Sequence, residues 1–327
     1  YMAYQLKNTL HQSGHWGAIS VLPAATGSVD LLVQGNILES NGEHLTLQVD
    51  VVDASGKTWL SKTYSAEATD FSYRENIPGR KDAYQDLYNA IANDIARYRA
   101  ELDPEAAQTI RTVSRLKFAE ELAPEPFSGY LAADGNDQVK IKRLPAEDDP
   151  MMDRLLKIRG REYMYVDTLN EYYDSFYNEM WTSYEEWRKM SLTEREAMQK
   201  VKREATMRKV AGILLMAGAV ALAAGDANYT GPLQIGMAVA GGQVIVDGFN
   251  ISKQAQIHAS ALKELSDSFA GEMKPIVMEF QGRQYELTGS AEEQFQKWRD
   301  LLRQIYYAET GFGPAPLMDE TKDDAGD

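Results

Sequence analysis

The sequence predicts an α+β fold. A small α/β sandwich-like module comes first, followed by a mainly helical region with a Gly/Ala-rich apolar helical hairpin, then a short C-terminal β-hairpin plus helix. Three observations carry this expectation. Leu45, Leu47, Val49 and Val51 alternate with His44, Thr46, Gln48 and Asp50, the period of a half-buried strand. Tyr84, Leu87, Tyr88, Ile91, Ile95 and Tyr98 recur instead at three- and four-residue steps, the period of an amphipathic helix. Val210–Gly225 and Pro232–Val246 contain no charged residue, in a chain that is 25% charged.

Each element of the first module has its own local cause. Met2, Leu6 and Leu10 lie at i, i+4 and i+8, so a helix is expected to end at Ser13-Gly14. Trp16–Leu22 is a brief apolar run stopped by Pro23 and supplies the first of four expected strands. Asp30–Leu38 supplies the second, with Leu31, Val33 and Ile37 on one face. Asn41-Gly42 is a strong hairpin signal, and the alternating run follows it. Asp53-Ala-Ser-Gly56 turns the chain into Thr58–Tyr64, and the tyrosine-rich helix closes the module. The expected order is therefore α-β-β-β-β-α.

The rest of the chain becomes helical. Five prolines between 103 and 150 mark an expected linker with one helix, about Glu105–Glu121. From Met151 a long helical region carries an aromatic stripe, Phe176, Tyr177, Met180, Trp181, Tyr184 and Trp187, which suits helix–helix packing, a subunit interface or an interfacial belt. Thr193 and Glu196 fit a capping box that would start a new helix feeding the hairpin. Lys202, Arg203, Arg208 and Lys209 crowd the hairpin's entrance, as a solvated face or as contacts to phosphate head groups. An amphipathic helix over Ile251–Phe269, a β-hairpin around Gln281-Gly282 and a helix capped by Ser290 and Glu293 complete the reading. The expected organisation is 1–102, 103–150, 151–270 with the hairpin at 210–246, 271–310, and an acidic disordered tail over 311–327.

The stretches LKNTLHQSGHW and VDLLVQGNILESNGEHLTLQVDVVDASGKTWLSKTYSA, closed by an amphipathic helix, resemble the amino-terminal domain of the TolB family of periplasmic proteins. They are also similar to the small α/β modules of outer-membrane-associated lipoproteins such as the curli-secretion lipoprotein. The resemblance covers residues 1 to 100 and implies partner binding or ring assembly, with no catalytic residue. The β-propeller repeats that follow in TolB are not in this sequence, so the resemblance stops at the module.

Composition narrows the chemistry. The chain has 327 residues and a net charge of −15, which argues against an extended nucleic-acid footprint. It has no cysteine, so disulfides and thiolate metal sites are excluded within it. It begins at Tyr1 without a signal-like segment, as expected of a processed product whose lipid anchor, if any, lay upstream. His11, His15, His44 and His258 form no metal-ligand pattern, and no nucleophile elbow or phosphate-binding loop is present. No catalytic residue, cofactor or metal is expected.

The expected function is that of a non-enzymatic envelope protein, periplasmic and outer-membrane-associated. It would oligomerise through Gly212, Gly218, Ala221, Gly236, Ala240 and Gly241, small residues that let helices approach closely. Its partners would be itself and other envelope proteins, with membrane contact open. The two apolar runs fall between the length of a spanning helix and that of a buried one. A membrane-spanning pore subunit and a soluble monomeric regulator of an envelope enzyme therefore stand as alternatives.

Overall fold

The computed structural model describes residues 1–73, 81–135, 138–223, 274–280 and 283–311. Helix α1 (Met2–Gln12) ends at Ser13 as its sequence predicts, and a three-stranded antiparallel sheet follows: β1 (Leu31–Ser40), β2 (His44–Asp53) and β3 (Thr58–Glu67), in the order β1-β2-β3. The alternating face of β2 goes inward as expected, with Leu45, Leu47, Val49 and Val51 all buried. Against it pack α1 and α2 (Gln85–Ala100), whose Leu87, Tyr88, Ile91 and Ile95 fill the same core.

Two expectations for this module are corrected. Trp16–Leu22 is a loop, so the module has three strands and not four. Trp16 and Ile19 still pack on the first core, and the Asn170 side chain bonds both the N–H and the carbonyl of Val21, where a strand partner would otherwise do so. Leu31 and Val33 line the core face of β1, but Ile37 is 59% exposed. A register shift between Ile37 and Glu39 bends the end of this edge strand away from the core.

Residues 103–150, expected as a linker, hold more structure than one helix. Helix α3 (Pro104–Leu122) starts at an Asp103 cap, and α4 (Pro124–Phe127) and a small hairpin, β4 (Leu131–Ala133) with β5 (Val139–Ile141), follow. Ile110 and Val113 of α3 belong to the first core, whereas Phe118, Ala119 and Leu122 belong to a second. That second core is completed by β6 (Ile276–Phe280), β7 (Arg283–Leu287) and α6 (Ala291–Thr310). The β6–β7 register flanks Gln281-Gly282 as predicted, and Ser290 with Glu293 forms the predicted capping box on α6.

The element that organises the molecule is α5 (Pro150–Ala223), 74 residues and about 110 Å long at 1.5 Å per residue. It is unbroken at Thr193, which overturns the expected helix start there: the Thr193 hydroxyl donates back to the Lys189 carbonyl. Its buried residues recur at 11-residue intervals: Leu155, Val166, Tyr177 and Arg188; Ile158, Leu169 and Met180; Arg159, Asn170, Trp181 and Leu192. Eleven residues close three turns almost evenly, so one face of the helix stays on the body without winding off it. At the positions that continue this pattern stand Ser191, Gln199, Lys202 and Arg203, and the apolar stripe gives way to polar residues.

Candidate functional site

The sheet module and α5 are joined at a buried ion pair. Asp82 precedes α2, where its own carboxylate accepts the Tyr84 N–H at 2.9 Å in a tight turn. Arg188 reaches it from α5: Nη1 donates to Oδ1 at 3.2 Å and Nη2 to Oδ2 at 3.0 Å. The Tyr1 hydroxyl donates to Oδ2 at 3.0 Å. Both charged side chains are essentially sealed, at 1% and 0% exposure. Four donors on one carboxylate occupy its lone pairs and fix Asp82 in place between α2 and α5.

Tyrosines wall this pair. The Arg188 guanidinium lies 4.5 Å from the Tyr184 ring centroid, 5.5 Å from Tyr84 and 5.6 Å from Tyr1. A planar guanidinium suits such a site because its edge forks onto a carboxylate while its faces meet aromatic rings. Burial opposes the Arg188 charge, but the Asp82 carboxylate outweighs it, and the pKa rises above the ordinary arginine value. The same burial raises the pKa of Tyr1, Tyr84, Tyr88 and Tyr184. All four phenols stay neutral at physiological pH, so the joint carries one cation and one anion.

The β1–β2 turn clasps the helix beside this pair. Tyr73 donates its hydroxyl to the Gly42 carbonyl at 2.6 Å. Gly42 itself, at φ 84°, presses on α5 so closely that a Cβ there would sit 2.2 Å from the Arg188 carbonyl oxygen. Farther out, Glu43 meets Arg195 at 3.7 Å and Gln199 at 3.3 Å. The aromatic stripe completes the joint from the other side: Tyr177 stacks on Tyr1 at 4.7 Å and meets Tyr4 at 4.9 Å, with Trp181 5.5 Å from Tyr177. The Tyr177 hydroxyl donates to Gln5, whose amide donates in turn to Gln85, so α1 is clamped between α5 and α2. Phe176, Tyr184 and Trp187 are half-buried beside it, with Tyr184 stacked on Trp187 at 5.8 Å.

A second joint holds the other end of α5. Arg299 of α6 bridges Glu121 of α3 at 2.5 Å and Glu162 of α5 at 3.3 Å. Burial pushes the Glu162 carboxyl up, against the opposing pull of Arg299. Nearby Arg159 donates to the Ser28 carbonyl and the Ser114 hydroxyl, each at 2.7 Å. The five buried charged side chains among the described residues are Asp53, Asp82, Arg159, Glu162 and Arg188, and each is committed to a contact between elements or within a turn.

The sequence-predicted contact residues fall elsewhere. Gly212, Gly218 and Ala221 lie on the helical backbone of α5, but their surroundings are outside the described residues, as are Gly236, Ala240 and Gly241 altogether. At about 100° per residue, a continuous helix puts Gly218 and Ala221 on one face and Gly212 well off it. Lys202, Arg203, Arg208 and Lys209 share that helix. Arg203 is exposed, and the other three side chains lie outside the described residues. The expected Ile251–Phe269 helix and the tail beyond Gly311 do so too. Among the described residues no helix is long and apolar enough to cross a membrane, and no three His, Asp or Glu side chains converge as a metal site. Asp82 and Arg188, 106 positions apart, carry no local motif that sequence reading could have joined. No protein family, curated protein or solved structure matches the chain.

Proposed function

We propose that this chain is a non-enzymatic protein of the bacterial envelope. It is periplasmic and outer-membrane-associated, and assembles with itself through the Gly/Ala-rich hairpin as a structural or secretion-complex component. One observation carries the reading: α5 runs without a break from the second core, past the Arg188–Asp82 joint, to Ala223. The folded body and the first arm of the apolar hairpin are therefore one rigid piece, with no flexible joint between them. Some 22 residues separate Arg188 from Val210, about 33 Å of helix, so the body stands at a set distance from whatever buries the apolar arm.

Three further points support the reading. Residues 1 to 100 resemble modules that bind partners or form rings. The buried charges serve as joints between elements. A segment this apolar, and this rich in glycine, is unstable as a bare helix in water and needs tight partners.

The test is the mass of the purified full chain by light scattering, with and without detergent, beside a Val210–Val246 deletion. A large particle lost on deletion supports assembly through the hairpin. If that particle forms only in detergent, the membrane-spanning pore is the better account. A detergent-free monomer refutes both and leaves the soluble regulator. Gly218→Leu and Gly241→Leu should reduce the mass while leaving the first module folded.

A further inference from the structure

The outer edge of β1 stands out among the sheet's features. Among the described residues β1 pairs only with β2, and Gln34 through Glu39 are all exposed. Soluble proteins usually guard such an edge with lysine, proline, a bulge or a covering element, and on β1 the bulge at Leu38 falls beyond the run from Leu31 to Ile37. The opposite edge, β3, is guarded in this way: Lys62 pairs with Asp94 of α2 at 2.7 Å, and Tyr64 bonds the same carboxylate. Leu31 to Leu38 holds no charge and no proline, in a chain of net charge −15. Ile37 belongs to the core face, opposite Leu47 of β2, yet is 59% exposed, and Leu38 beside it is 61% exposed.

The sequence of this edge is chemically palindromic about Gly35. Gln34 and Asn36 are amides, Val33 and Ile37 are β-branched, and Leu32 and Leu38 are leucines. An antiparallel pairing about a two-fold axis at Gly35 sets like residues opposite each other, Gln34 against Asn36 and Val33 against Ile37, and the regular match ends at Ile37 because Leu38 is the bulged residue. Such cross-strand matches are the unit of sheet stability, and a two-fold interface requires a patch complementary to itself. The register keeps the faces correct as well. Val33 and Ile37 both lie on the core face, so pairing places the exposed Ile37 beside a partner's core residue. Glycine at the centre leaves room, because among the described residues a Cβ on Gly35 would meet only the Gln48 carbonyl oxygen, at 3.8 Å.

We propose that β1 pairs with the β1 of a second copy of this chain, antiparallel about Gly35, to make one continuous six-stranded sheet. A second copy is the occupant because the edge matches itself residue for residue. It is also free of charge where two acidic molecules must meet. This contact rests on the sheet edge alone and stands or falls separately from assembly through the hairpin.

The test uses the full chain, which has no cysteine of its own. Facing residues in an antiparallel pair lie about 4.5–5.5 Å apart at Cα, within disulfide reach. Gly35→Cys should therefore cross-link to a dimer under mild oxidation about tenfold or more faster than a Thr63→Cys control on exposed β3, a gain expected of held rather than random encounter. Adding Ile37→Lys to Gly35→Cys should return the rate to that of the control. Ile37→Lys alone should leave the circular dichroism unchanged, because the side chain is exposed, so a lost cross-link is not a lost fold. The proposal is overturned if Gly35→Cys cross-links no faster than the control, or if Ile37→Lys leaves its rate unaltered; the latter result would point to a contact made elsewhere.

Discussion

Removing one member of the Arg188–Asp82 pair should cost far more than removing both. In Arg188→Met the Asp82 carboxylate keeps the Tyr1 hydroxyl and the Tyr84 N–H but loses both guanidinium donors, at 0% exposure. An uncompensated buried charge of this kind costs about 3–5 kcal/mol, against a total stability of about 5–15 kcal/mol for a typical domain. Asp82→Asn should cost a similar amount from the other side, by leaving the cation of Arg188 among the tyrosine rings with a neutral partner. The double variant Asp82→Asn with Arg188→Met removes both charges and should cost less than either single, which means a recovery of at least about 3 kcal/mol relative to the sum of the singles. Urea unfolding followed by tryptophan emission is a suitable assay, since Trp181 and Trp187 report α5 while Trp16 and Trp59 report the sheet module. The single variants should also split one transition into two, with α5 parting from the module first. Losses below about 1 kcal/mol in both singles, or strict additivity in the double, would refute the account of this pair as a sealed joint.

Two other predictions test the same framework. Gly42→Ala forces a side chain onto a φ of 84° and drives its Cβ to 2.2 Å from the Arg188 carbonyl oxygen, a backbone atom that cannot swing aside. The expected loss is about 2 kcal/mol or more, read as a lower urea midpoint. For Glu162, the folded carboxyl holds its proton above the usual glutamate value of 4.5, while the unfolded one releases it there. Just above that value the native state binds more protons than the unfolded state, so this group's contribution falls as pH rises through the window. Glu162→Gln should remove that fall and leave Arg299 paired with Glu121. Unfolding midpoints of the two proteins from about pH 4 to 7 should diverge in the variant's favour as pH rises.

How much of this was legible follows from the range of each interaction. The β2 alternation, the Asn41-Gly42 turn and the Ser290–Glu293 box are local patterns, and each appears where its residues predict. Helix α5 was misread at Thr193 because Thr-x-x-Glu fits a helix start and a helix interior alike. What distinguishes them is whether the Thr hydroxyl caps forward or bonds back to the preceding turn, and here it bonds Lys189. Trp16–Leu22 was misread because apolar content alone cannot show that a strand has a partner. Its backbone is instead satisfied at Val21 by Asn170, 149 positions away. The joint was illegible for the same reason of distance, although one clue lay in the sequence. Arg188 occupies the place that the 11-residue spacing of Leu155, Val166 and Tyr177 assigns to a buried residue. A charge in an apolar register asks for a buried partner.

The continuity of α5 makes rotational phase the sharpest test of the proposed function. Residues Glu162 and Arg188 pin the helix to the body at points 26 positions apart, about 39 Å along its axis. Pinned twice on one face, α5 cannot roll, so the orientation of its apolar end is set by the number of residues between Leu192 and Val210. Two alanines inserted after Lys200 should turn the apolar arm by about 200° relative to the body, whereas eleven should return it to within about 20° and displace it by about 16 Å. If the body and the hairpin act as one piece in the assembly, the two-residue insertion should reduce the light-scattering mass while the eleven-residue insertion preserves it. Wild-type mass in both would mean that the body does not constrain the hairpin. Loss in both would mean that length matters and phase does not. Only a split between the two follows from a helix that carries its register from the joint to the apolar arm.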